Sequence, residues 1–183
     1  GGRLGKSQYA TELLSSNNDL VVNDRCKSLI KLNDKRKEIE SLILEEIDFK
    51  KIEKENKDVI IYYNPNINEG LIGIIAARLK DYFNKPSIVI TASNELLKGS
   101  ARSVYNYNIG RVIKNSLDQK IILNGGGHNM AAGFKLNKGN RLLKNDTTNV
   151  DGTNSAINKY RCKPPLLDSI GIRGRSYFCI VSR

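Results

Sequence analysis

The stretch GGGHNMAAGF, residues 125–134, contains the single histidine of the 183-residue chain. Gly125, Gly126 and Gly127 expose backbone N–H groups with almost no side chain in the way. His128 adds a group that donates, accepts or carries a proton near neutral pH. Upstream, KGSARS (98–103) alternates Lys98, Ser100 and Arg102, which an extended backbone points the same way. An ammonium, a hydroxyl and a guanidinium on one side make a phosphate clamp by composition. An ordinary basic strand edge would carry the same residues. Taken with the three amides and His128, the better reading is a pair of phosphate-binding loops. The amides then wrap a phosphate, and His128 reaches its oxygens or the leaving group.

NEGLIG (68–73) raises a nucleotide alternative, because it follows a strand-like run and opens a helix. Its spacing is G-x-x-G and no acidic residue ends the next strand, so a dinucleotide fingerprint is not met. No G-K-[ST] follows it, which excludes a P-loop there. The glycines equally suit close helix–strand packing, and a helix N-terminus at this point attracts an anion.

The elements that must position these groups can be read from periodicity. VIIYY (59–63) and SIVIT (87–91) are β-branched runs on either side of LIGIIAARLKDYF (71–83), whose apolar residues keep one helical face. That is a β-α-β unit, normally parallel and right-handed. YNIGRVIKNSL (107–117) reads as a second helix, and KIIL (120–123) and MAAGFKL (130–136) as further strands. Residues 58–138 thus form a small α/β domain. Between Asn23 and Lys57, Leu29, Leu32, Arg36, Ile39, Ile43 and Ile47 recur at helical steps, a stripe interrupted only at Arg36. Glu46 with Lys50 and Glu53 with Lys57 add favourable (i, i+4) pairs, so residues 1–57 read as a connecting segment and helix. Residues 139–183 keep no period and contain Pro164-Pro165; they read as an irregular basic tail without functional assignment.

Thirty Lys and Arg against 19 Asp and Glu give a net charge of +11. That excess favours polyanions, either nucleic acid or an anionic membrane surface. Cys26, Cys162 and Cys179 are odd in number and form no C-x-x-C pair. This argues against a disulfide framework or a zinc site and suits a reducing cytoplasm. No apolar run approaches the ~20 residues of a membrane span. The opening GGRLGKSQYA has neither a starting Met nor a secretory apolar segment, and reads as the middle of a larger protein.

GGRLGKS, NDKRKEIE, EGLIGIIAARL, KPSIVI, KGSARS and GGGHNMAAGF follow one another in this order. Over residues 1–138 the chain thereby resembles the RecJ family of single-strand-specific DNA exonucleases. The resemblance implies a small DHHA1-type α/β sheet with flanking helices, preceded by a long connecting helix. A DHHA1 domain is the substrate-binding partner of a catalytic DHH domain, and also occurs in oligoribonucleases, phosphoesterases and the tail of alanyl-tRNA synthetase. By resemblance Arg3, Ser100 and Arg102 hold backbone or terminal phosphates. Gly126, Gly127 and catalytic His128 lie against the phosphate being cleaved, and Lys98 and Gly125 complete the clamp. Asn68 stands where the family usually has a histidine.

The complete family enzyme uses Mn²⁺ or Mg²⁺, and two-metal phosphodiester hydrolysis needs clustered carboxylates and imidazoles. This chain shows no D-x-D, D-H-D or D-H-H, so no metal is expected on it, and the DHH domain is expected before Gly1. Three readings follow. The chain is the substrate-holding part of a 5′→3′ single-stranded-DNA exonuclease of repair or recombination, inactive alone and completed by a DHH domain, separately encoded or upstream. Or it is a stand-alone nucleic-acid-binding module. Or it is a fragment of a small-substrate DHH phosphoesterase, or the tail of a tRNA synthetase. Single-stranded DNA is the expected partner, and no membrane is.

Overall fold

A computed structural model of the protein describes residues 1–138 and the backbone of 180–181. The expected irregular tail over 139–183 otherwise lies outside the described residues.

A 3-10 turn at Gly2–Leu4 leads into α1 (Gln8–Ser15) and the long α2 (Asp19–Glu46). The Asn18 side chain caps α2 by accepting from the Leu20 N–H. The connecting helix expected through Lys57 is in fact two helices. Ile47 leaves the helical backbone and is buried, and the Asp48 carboxylate accepts from the Lys51 N–H to start α3 (Phe49–Glu55). An Asp satisfies a first-turn amide better than it tolerates a helix interior. The Glu46–Lys50 pair therefore does not sit on one continuous helix, and Lys57 pairs with Glu55.

Arg36, which interrupts the apolar stripe, has a structural reason. Its Nη1 donates to Glu40 Oε2 at 2.6 Å, while Arg78 Nε from the following domain donates to Glu40 Oε1 at 2.6 Å. Glu40 is only 5% exposed, so the carboxylate is a buried link between the long helix and the sheet domain. Glu40→Ala should lower the unfolding free energy by about 2 kcal/mol, because it strands the largely buried Arg36; half-exposed Arg78 contributes less. Urea unfolding measures this, and a change under about 0.5 kcal/mol, the scatter of inert surface substitutions, would contradict it.

The sheet is built from β1 (Ile60–Tyr63), β2 (Ser87–Ser93), β3 (Leu96–Arg102), β4 (Asn124–His128), β5 (Ala131–Asn137) and a two-residue β6 (Ile180–Val181). Their order is β4-β5-β3-β2-β1-β6. β1 runs parallel to β2 and β6, and every other pairing is antiparallel. Helix α4 (Ile72–Phe83) connects β1 to β2, and α5 (Ile109–Asp118) precedes β4. KIIL is not a strand. Lys120 adopts a left-handed backbone, and the N–H groups of Ile121 and Ile122 return to Ser116 O at the end of α5. That turn tucks Ile122 into the core, and GGGH forms the strand instead.

Residues paired across a ladder share a face, so the register sorts the two sides. On one side Ile60, Tyr62 and Val89 pack under Ile72, Ile75, Ala76 and Leu79 of α4. On the other, Ile90, Leu97, Ala101, Ala132, Phe134 and Leu136 pack with Ile109 and Ile113 of α5 and with Ile122. The α4 side continues over β3, β5 and β4, where its residues are half-buried or exposed. This open half-face is where the chemistry-bearing residues lie.

Candidate nucleic-acid interface

Three rows cross the open half-face. Ser100 pairs with Gly133, which pairs with Gly126; Lys98 pairs with Lys135, which pairs with Asn124; Arg102 pairs with Ala131, which pairs with His128. The middle row is a lane without Cβ atoms beyond Ser100. With strands about 4.8 Å apart, Gly126 lies roughly 10 Å from Ser100. The two expected loops are thus strands of one sheet. Only alternate N–H groups of an edge strand point away from its neighbour, so Gly125, Gly126 and Gly127 do not close into a wrap of three converging amides.

Their side-chain directions separate their roles. A Cβ on Gly126 would meet nothing within 4 Å, whereas one on Gly127 would lie 2.4 Å from Ala131 O and 2.5 Å from Ala132 Cα. Gly126 keeps the open face clear, and Gly127 lets the hairpin close. Gly125 faces Ile113, Ile122 and Phe134 on the packed side.

A cleft of about 480 Å³ opens beside this lane, lined by Arg3, Lys98, Ser100 and Arg102 together with Glu69, Gly70, Gly73 and Gly133. It brings together four of the expected phosphate-binding side chains; Gly126 and His128 lie outside it, on the edge strand β4 of the same face, and Gly125 and Gly127 turn to the other side of the sheet. Arg102 Nη1 donates to Ala101 O at 2.9 Å and approaches Ser100 Oγ at 3.4 Å. Those contacts fix the guanidinium without neutralising it. Above them Gly73, in the first turn of α4, allows close approach: its Cβ would sit 3.1 Å from Arg102 Nη2 and 3.2 Å from Ser100 Oγ. Leu71 at the N-cap offers no side chain to the first turn, so the positive end of the α4 dipole faces the cleft uncapped. Arg3 reaches the same place because its carbonyl packs on Gly70, where a Cβ would lie 2.2 Å away.

Asn68 shapes this corner too, its Oδ1 accepting from the Gly70 N–H at 2.8 Å. Lys98 is less free than its spacing suggested, since its Nζ is 3.3 Å from Glu69 Oε2. Glu69 also accepts from Ser93 Oγ at 2.8 Å. The Ser93 hydroxyl, then Lys98, with a smaller contribution from Lys135, hold the Glu69 carboxyl below the usual carboxylate range. Glu69 therefore stays charged at neutral pH and sets a negative corner at one end of an otherwise cationic cleft. His128 is exposed, and its Nδ1 accepts from the Met130 N–H at 3.3 Å. Gly73 serves the close helix–strand packing that the G-x-x-G spacing suits, whereas sequence reasoning missed Glu69 and Gly133, whose roles depend on partners far away in the chain; the A-A-G-F spacing that puts Gly133 opposite Ser100 carries no signal until the register is known.

The mixed sheet, with one half-face under a helix and the other open and cation-lined, defines an α/β domain that presents a binding surface. A family model for the DHHA1 domain matches residues 56–151, and the chain belongs to that family. It is 35% identical over 143 residues to the single-stranded-DNA-specific exonuclease RecJ of Haemophilus influenzae, covering 74% of this chain and 25% of the relative. To RecJ of Bacillus subtilis it is 31% identical over 139 residues, covering 74% and 17%. The chain thus spans a quarter or less of the length of these relatives. The crystal structure of RecJ from Thermus thermophilus in complex with Mg²⁺ matches with a TM-score of 0.61 at 25% identity, over 74% of this chain and 21% of that one. The resemblance and the fold class read from the motifs both stand. Among the described residues no three His, Cys, Asp or Glu side chains converge as metal ligands; these residues do not fit the metal that the Thermus structure contains.

Proposed function

We propose that this chain is the substrate-holding portion of a RecJ-like 5′→3′ single-stranded-DNA exonuclease of DNA repair or recombination, working in the cytoplasm with a DHH domain that supplies the Mn²⁺- or Mg²⁺-dependent hydrolysis. The observation that carries this reading is the convergence of Arg3, Ser100 and Arg102 on the uncapped first turn of α4. Among the described residues neither arginine has a carboxylate within ion-pair distance. A phosphate there receives a charge-assisted contact from each guanidinium, a hydroxyl donor from Ser100 and the helix dipole. The Ser100–Gly133–Gly126 lane leaves space for the sugar–phosphate backbone to lie on the sheet. His128, on the same face at the edge strand, has a donor to offer the phosphate being cleaved. No helix of the described residues is long and apolar enough to cross a membrane; nucleic acid is taken as the polyanion because the matching relatives are single-stranded-DNA-specific exonucleases.

Binding and turnover test the reading together. Residues 1–183 should bind oligo(dT) with a log–log salt slope of about −2, as expected for roughly three phosphate contacts on a single strand. With Mn²⁺ or Mg²⁺ present the strand should stay intact. A flat salt dependence, or mononucleotide release above a mock preparation, would contradict it.

A further inference from the structure

We propose that Tyr105 is a stacking platform for an unpaired base of the strand whose phosphate occupies the Arg102 cleft; this rests on the reading above. The Tyr105 ring is 92% exposed, yet its backbone is firmly held. The Tyr107 N–H donates to Val104 O at 3.1 Å, closing a turn with Tyr105 as its second residue. Buried Ser103 donates its N–H to Met130 O at 2.9 Å and its hydroxyl to Tyr107 O. The Ile109 N–H donates to Asn129 O at 3.2 Å. The turn is thereby tied to the β4–β5 hairpin, and the ring is presented from a fixed base.

Its turn lies close in the chain to Arg102, at one end of the cleft. Tyr105 follows Arg102 by three residues, at most about 11 Å along the chain. The Arg102 row runs through Ala131 to His128, and the Ser103 N–H donates to Met130 O, so the Tyr105 turn, His128 and the exposed Met130 lie at the Arg102 end of the sheet. An aromatic ring, an imidazole and a thioether all pack well on the faces of bases. Residues 103–109 and 128–131 contain no Asp or Glu, so nothing in either segment repels a phosphodiester. A base stacked on an aromatic ring is held regardless of its identity, which suits a strand passing the cleft whatever its sequence. A protein partner is the other conceivable occupant. The absence of acids from both segments and the short chain distance from Arg102 favour a nucleic acid.

The chain contains no tryptophan, so Tyr105→Trp places a single indole at this point, whose emission is excited separately from that of the tyrosines, and on so exposed a side chain it leaves packing untouched. Oligo(dT) should quench its emission saturably, in step with binding, while an abasic strand of equal length should not. Tyr105→Ala should weaken oligo(dT) binding about five- to a hundredfold, the weight of one base–aromatic stack. It should leave the abasic strand's affinity unchanged, and Tyr105→Phe should behave as wild type. Unquenched emission at saturating oligo(dT), or equal losses on the two strands, would overturn the proposal. Arg102→Ala separates the two layers of argument. If it weakens both strands while Tyr105→Ala weakens neither, only the stacking role fails; if Arg102→Ala weakens neither, the phosphate reading fails and takes this inference with it.

Discussion

Gly127→Ala should destabilise the domain by about 3 kcal/mol or more, whereas Gly126→Ala, one residue earlier, should be neutral or slightly stabilising. The first methyl would be placed 2.4 Å from Ala131 O and 2.5 Å from Ala132 Cα and Cβ. Those atoms belong to the paired strand, so relief requires the β4–β5 hairpin to open rather than a side chain to turn. The second methyl projects into open space and removes some freedom from the unfolded chain. Urea unfolding of the two variants checks the contrast, and similar stabilities would mean that the register of β4 is not the one described. The pair also separates folding from binding. Gly126→Val should fold as the parent does, yet place a branched side chain in the lane and weaken single-stranded DNA binding.

These glycines also show where sequence reasoning stops. VIIYY, SIVIT and the helix between them are legible because each is buried in a way that its own residue types demand. KGSARS is legible because alternation survives into β3, where Lys98, Ser100 and Arg102 do share a face. GGGH reads as a loop because three glycines give a strand no local support. It becomes one because β5 supplies a partner and α5 packs behind it, which are decisions made at the tertiary level. KIIL errs the other way: its β-branched run fits a strand, but the left-handed Lys120 reverses the chain first. The interruption of the stripe at Arg36 looked like a defect until Glu40 and Arg78 were in place. Glu69 gave no signal at all, since Ser93, its hydroxyl partner, lies 24 residues away.

The affinity of oligo(dT) for Arg102→Ala, set beside Arg111→Ala, tests the phosphate cleft most directly. Arg102 is half-buried, fixed by Ala101 O and Ser100 and turned into the cleft. Arg111 is exposed in the first turn of α5, the helix packed on the opposite side of the sheet. Both substitutions remove one positive charge, so long-range attraction falls equally. Losing a charge-assisted contact should cost Arg102→Ala about 2 kcal/mol, roughly thirtyfold in affinity, and flatten the salt slope by about 0.7. Arg111→Ala should change affinity about twofold or less, the weight of a general surface charge. Equal losses in the two variants would show a diffuse basic surface, and an unchanged affinity for Arg102→Ala would show that the cleft does not hold the strand.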